Sequence, residues 1–380
     1  MKICYIDHSF HQKTLSTQFV AEILRKHGHE VDFYWDDSWQ GGKSVCIDDL
    51  VGAYDTFIFF QLAARSSKPY YKLPINITFI PMLDSYGNEY SLHHHRMIWK
   101  QFAGVKVLNF SKALHCAAAS HGLASKYFKY FPDPSQYEMS EPEEILKGFL
   151  WQRHPEAINW HVVKKIAAAT HFGSFHLHMP VDPFHAQVYP DQADIDRYGI
   201  TVTDWFKERD DYYSRVQACQ VYFAPRPSEG IGMSFLEAMA MGKCVVTPDC
   251  GTMNEYIVDR VNGLLYDLSE PRALDFSRAA EIGKMARYSV ETGFDEWRRR
   301  EAELVDYIVT PRDIVYRQLY TVNIDYSELA AAQPLAGSLA TKCRLRLVKF
   351  KQRVGKSRLR PWLNPVWQRI KKVRGKMKER

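Results

Sequence analysis

A chain of 380 residues, 46% of them hydrophobic and 25% charged, is long enough for two folded domains with full cores. Its composition excludes both a disordered chain and a membrane-embedded one, and its longest apolar stretch, "TFIFFQLAA" at 56–64, is less than half a bilayer span. The net charge of +6 is unevenly placed, with residues 341–380 carrying +15 and the rest of the chain −9.

The opening "MKICYIDHSF" reaches Asp7 before any apolar signal region develops. The seven cysteines are odd in number, scattered and without a C-x-x-C pair. Both features lead us to expect a cytoplasmic protein with reduced thiols and no disulfide framework.

In chain order, "KICYID" (2–7) reads as a strand. "TLSTQFVAEILRKHG" has helix-spaced apolar residues at Phe19, Ile23 and Leu24 and a stop at Gly28, and "EVDFYW" is a strand again. "TFIFF" (56–60), "NITFIPMLD" (76–84) and "VKVLNF" (105–110) continue the strands, with apolar or helical segments between them. This rhythm predicts a parallel sheet covered on both faces. The polar, proline-bearing, acidic "PDPSQYEMSEPEE" then reads as a linker.

The alternation restarts with "GFLWQ", the helix "INWHVVKKIAAA" and the strands "SFHLHM" and "ITVTDWF". It goes on through the helix "RDDYYSRVQAC", the strand "VYFAP", the helix "GMSFLEAMAMG" and the strand "CVVTP". The stretch "NEYIVDRVNGLLY" is a helix turning into a strand. From 294 the pattern becomes helical, and a small-residue stretch leads into the basic tail. Two successive doubly wound α/β units place the expected ligand site in the cleft between them.

Within "PSEGIGMSFLEAMAMGKCVV", a helix from about Met233 to Met241 is entered through Gly230 and Gly232 and stopped by Gly242. Open N–H groups near Gly232, Met233 and Ser234, together with the helix dipole, suit a phosphate. Glu229 before the loop and Glu237 in the second turn would reach opposite ends of one bound molecule. Carboxylates repel phosphate but accept from hydroxyls, so the layout matches ribose, pyrophosphate and sugar in a nucleotide diphosphate sugar.

These residues resemble the donor-site signature of retaining glycosyltransferases of the GT-B fold, in particular family 4, through "EGIGMSFLE", a Glu-x7-Glu pattern, followed by "AMAMGKCVV". The flanks "YFAPRPSEG" and "TPDCGTMNEYIVDRVNGLLYD" agree, and the match is specific over about 202–268. The resemblance implies two Rossmann-like domains facing a cleft, an acceptor-binding domain at 1–140 and a donor-binding domain at 141–325; the composition after them gives a linker and a basic helical tail at 326–380. It implies that Glu229 contacts the transferred sugar near its anomeric carbon, that Glu237 binds the ribose hydroxyls, and that Gly251, Thr252 and Glu255 of "CGTMNE" lie near the sugar.

The chain departs from the pattern in three places. The glycine-rich turn after the first strand is replaced by "DHSFHQKTLST". The usual Gly-Arg pair with a Lys five residues on is represented by Arg153 alone, with Lys164 and Lys165 as alternatives for the lysine. Where the family commonly has a histidine facing the acceptor, "TFIPMLDSYG" offers Asp84. Glu229, Asp84 and Arg153 are therefore the expected catalytic set.

No cofactor and no metal are expected, the nucleotide sugar being the substrate. "LHHHR" from 92 and "FHLHM" (175–179) lack acidic or cysteine partners, and no Asp-x-Asp triplet occurs. The leaving diphosphate would be held by helix N–H groups and Arg153. The tail interleaves cations with Leu, Val, Phe and Trp, so residues 342–380 suit the anionic inner face of a membrane, Trp362 and Trp367 at headgroup level. A solvated tail and a nucleic-acid arm are the other readings of it.

The leading expectation is a peripheral, cytoplasmic hexosyltransferase acting on a glycan or lipid-linked acceptor in surface polysaccharide assembly. A GT-B nucleotide-sugar epimerase or sugar phosphorylase is the second enzyme reading. A basic-tailed nucleic-acid-binding protein is the non-enzyme one, though no helix-turn-helix, zinc or aromatic RNA-binding signature supports it.

Overall fold

Two parallel sheets of six strands each carry the chain in the computed structural model, which describes residues 1–86, 98–139, 143–182 and 185–321. The first is built from β1 (Lys2–His8), β2 (Glu30–Asp36), β3 (Thr56–Phe60), β4 (Asn76–Ile80), β5 (Lys106–Asn109) and β6 (Ser125–Tyr127), in the order β2-β1-β3-β4-β5-β6. The second comprises β7 (Leu146–Trp151), β8 (Phe172–His178), β9 (Ile200–Thr203), β10 (Val221–Phe223), β11 (Cys244–Pro248) and β12 (Leu264–Tyr266), in the order β12-β11-β10-β7-β8-β9. Buried on both faces, their central strands are near-continuous apolar runs, as β3 "TFIFF" and β11 "CVVTP" show.

Each sheet has one switch point. In the first, β1 lies between β2 and β3, and in the second, β7 lies between β8 and β10. At such a point the connections leave to opposite faces, so a crevice opens beyond the carboxyl ends of the two strands. His8 and Gln61 stand at the first crevice. Arg153 and the loop from Pro225 to Gly232 stand at the second.

Three local readings change. Asp84 lies in the short helix Leu83–Tyr86, because β4 already ends at Ile80 before the proline. The long C-terminal helix begins at Ala279, not 294, and runs to Arg299. The helices Glu301–Val309 and Arg312–Thr321, which follow the second unit in sequence, return to the first. Lys106 Nζ donates to the carbonyls of Tyr307, Ile308 and Thr310 at 2.6–2.8 Å, and Asn76 Nδ2 donates to that of Ile308 at 3.0 Å. Trp297, on Ala279–Arg299, packs against Phe19, Phe110 and Tyr130 of the first lobe. One apolar core thus runs through both lobes. The "LHHHR" segment and the basic tail lie outside the described residues.

Candidate active site

The second switch point carries the signature loop. Gly232 takes a φ of +82°, and a Cβ there would stand 1.9 Å from the Phe235 ring, so only glycine opens the helix Met233–Ala240 at this position. No side chain caps that helix start, which leaves its first N–H groups directed at the cleft. Gly230 touches the first lobe, where a Cβ would meet Met82 Sδ at 2.6 Å. The loop therefore forms the floor of a cleft of about 1030 Å³ with walls from both lobes.

Glu229 and Glu237 both line that cleft while only 6% and 5% exposed. Burial pushes the Glu229 carboxyl up to about 7, opposed by the Arg226 and Arg153 guanidinium groups. Burial also raises Glu237, against Arg209, whose Nη2 donates to Glu237 Oε1 at 2.7 Å.

Around Glu229 the charges form one network. Arg226 Nη1 donates to Asp84 Oδ2 at 2.7 Å and lies 3.5 Å from Glu229 Oε2, and its Nε lies 3.3 Å from Asp182 Oδ2. Arg153 grips Asp182 Oδ1 through Nε and Nη2 at 2.8 and 2.6 Å, and His154 Nε2 lies 3.0 Å from the other oxygen. These partners hold Asp182 well below the usual carboxylate range although burial acts the other way. Two acceptor atoms are left over: Glu229 Oε1 and Asp84 Oδ1 are buried and have no hydrogen-bond partner among the described residues. A buried oxygen without a donor is costly, and a ligand hydroxyl would supply one at each.

Asp84, Arg153, Glu229, Gly230, Gly232, Met233, Ser234 and Glu237 thus converge on one cleft. Gly251, Thr252 and Glu255 do not line it. Thr252 Oγ1 donates to the Glu229 carbonyl at 2.6 Å, bracing the loop from behind, and a Cβ on Gly251 would meet Leu83 of the first lobe at 2.7 Å. The Glu255 carboxylate accepts from Ser111 Oγ, the Lys112 N–H and Tyr127 Oη at 2.9–3.1 Å, so it joins the lobes rather than facing the cleft.

The lysine alternatives also point elsewhere. Lys164 pairs with Asp194 at 2.5 Å, and Lys165 is exposed outside the cleft. The histidines of "FHLHM" are core groups: His176 bonds Thr201 and Thr203, His178 bonds Thr203, and burial lowers them to about 4 and 3. Among the described residues, Asp7, His8 and His11 are the one trio with metal-ligand spacing, but hydrogen bonds from His11, the His8 N–H and Thr17 already occupy both Asp7 oxygens.

Sequence reasoning missed Arg226, Asp182 and Arg209. Arg226 stands three residues before Glu229, where no periodicity or spacing marks an arginine as a clamp. Also unforeseen is an aromatic wall of the cleft, in which Trp151 and Trp205 lie 6.0 Å apart and Phe206 stacks on His178 at 4.6 Å.

The fold and cleft define a two-lobed α/β protein of the GT-B class. Sucrose-phosphate synthase from Thermosynechococcus elongatus shares it with a TM-score of 0.59 at 13% identity, over 84% of this chain and 99% of that one. A glycosyltransferase from Rickettsia africae shares it with a TM-score of 0.53 at 13% identity, over 81% and 98%. Anabaena HepE in complex with UDP shares it with a TM-score of 0.50 at 13% identity, over 84% and 98%. Residues 162–279, within the second lobe, match the model of the family described as glycosyl transferases group 1. A Methanocaldococcus jannaschii protein described as an uncharacterized glycosyltransferase is 35% identical over 68 residues; the match spans 18% of this chain and 19% of that protein.

Proposed function

We propose that this chain is a retaining glycosyltransferase that moves a hexose from a nucleotide sugar to a glycan or lipid-linked acceptor in surface polysaccharide assembly. The observation that carries the reading is the pair of orphaned acceptor oxygens, Glu229 Oε1 and Asp84 Oδ1, beside an uncapped helix N-terminus in one cleft. The open N–H groups of the helix Met233–Ala240 take the diphosphate, and Glu237 takes the ribose. The aromatic wall of Trp151, Trp205 and Phe206 offers a face to the base. Glu229 and Asp84 hold hydroxyls of the transferred sugar.

As the glycosidic bond breaks, negative charge grows on the leaving diphosphate. The helix N–H groups stabilise it, and the arginines do so once ligand hydroxyls compete for their carboxylate partners, with no metal required. Residues 342–380 would hold the enzyme against an anionic membrane surface.

The test is protection against thermal unfolding by UDP, GDP, ADP, CMP and their sugars, on wild type and on Glu237→Ala. One nucleotide should raise the melting temperature by several degrees, and Glu237→Ala should abolish the shift. Indifference of the wild type to all of them would overturn the donor site.

A further inference from the structure

The opposite wall of the cleft is built at the first sheet's switch point, where β1 and β3 end at His8 and Phe60. Asp7, in β1, is fully buried. Its Oδ1 lies 2.7 Å from His11 Nδ1 and accepts the His8 N–H at 2.8 Å, while its Oδ2 accepts from the Thr17 hydroxyl at 2.7 Å.

A carboxylate only accepts, so the proton of a neutral His11 sits on Nδ1 and Nε2 is left as an acceptor. His11 lines the cleft, and its Nε2 has no partner among the described residues. Such an atom takes an O–H or N–H donor and gives nothing to a phosphate or carbonyl oxygen. Phe10 and Trp39 line the same wall, their rings 5.9 Å apart and edge-on. An aromatic surface beside a hydrogen-bond acceptor suits a sugar ring, whose C–H face packs against the rings while a hydroxyl donates.

A polar chain runs from this wall to the residue beside Asp84. His8 lies against His11 with ring centres 3.7 Å apart and planes tilted by 37°, and its Nε2 lies 3.2 Å from Gln61 Oε1. The Gln61 amide in turn donates to Ser85, the neighbour of Asp84. Gln61 takes a φ of +61°, a conformation that a non-glycine residue keeps only where its surroundings impose it.

We propose that Phe10, His11 and Trp39 form the acceptor subsite, that it takes a sugar ring with a hydroxyl donating to His11 Nε2, and that Asp7 is its positioning residue. The proposal rests on the reading of the cleft as a glycosyltransferase site.

The experiment is saturation-transfer NMR at about pH 8 with p-nitrophenyl α- and β-glycosides of glucose, galactose, mannose and N-acetylglucosamine, in the presence of UDP. At least one glycoside should show transfer to its ring protons on wild type. His11→Ala and Phe10→Ala should weaken it at least tenfold while leaving melting temperature and nucleotide protection in place. Asp7→Ala should weaken it too, although the imidazole remains, because Nδ1 would then have no acceptor to fix its proton and the orientation of the ring. Phe10→Ala keeps the test alive if a change at His11 or Asp7 impairs folding.

Nucleotide protection with no glycoside signal on wild type overturns the subsite and leaves the donor reading standing, as does a signal undiminished in the variants. Glycoside binding that the variants lose, without nucleotide protection, supports the subsite and sinks the donor reading instead.

Discussion

Glu229 combines two opposed demands at the scale of one residue. Its carboxyl is buried, which favours the neutral form, yet Arg226 sits within 3.5 Å, which favours the charged one; burial prevails and the group is raised to about 7. Between about pH 4.5 and 7 the native state therefore keeps a proton that the unfolded chain has lost. Stability must fall as pH rises through that window. Glu229→Gln cannot ionise, so wild type should lose on the order of 2–3 kcal/mol relative to the variant between those limits in urea denaturation. A constant difference across the window would refute this environment for Glu229. The residue itself was legible from the Glu-x7-Glu spacing. Arg226 was not, because its three carboxylate neighbours come from segments as distant as residues 84, 182 and 229.

At the scale of elements, the helix Met233–Ala240 was legible throughout: Phe235, Leu236 and Met239 face the core, and Gly242 ends it with a φ of +73°. What the pattern could not convey is how tightly its entrance is packed. Gly232→Ala would force a Cβ to within 1.9 Å of Phe235 in a left-handed conformation. We expect a loss of about 1–3 kcal/mol in chemical denaturation and at least a tenfold loss in nucleotide affinity by titration, since the N–H groups would turn with the loop. Unchanged affinity would mean that the helix start takes no part in donor binding. The destination of Lys164 was hidden for a related reason. Helix periodicity places it on a polar face but does not reveal that Asp194, on another helix, waits there.

The whole molecule is held by contacts that no local pattern announces. Glu255 caps the helix Lys112–Ser120 of the opposite lobe, and Trp297 and Lys106 fasten the C-terminal helices to the first sheet. These ties set the two switch points face to face, which is what makes one cleft from two crevices. Charge is organised at the same scale, +15 in residues 341–380 against −9 before them. Full-length protein should co-sediment with vesicles containing phosphatidylserine or phosphatidylglycerol, weaken as salt rises, and cease to bind when residues 342–380 are removed. Binding that persists without those residues would move membrane contact elsewhere.

The sequence by itself determined the strand and helix alternation, the two α/β units, the glycine-opened helix and its flanking glutamates, because periodicity, turn chemistry and motif spacing are properties of neighbouring residues. Only the tertiary structure decided that Arg226 gathers Asp84, Asp182 and Glu229, that Glu255 ties the lobes together, and that Asp7 aims His11 into the cleft. Each of these depends on where side chains meet after the chain has folded, and the pairing of a buried charge is set by its spatial neighbours rather than by its place in the chain.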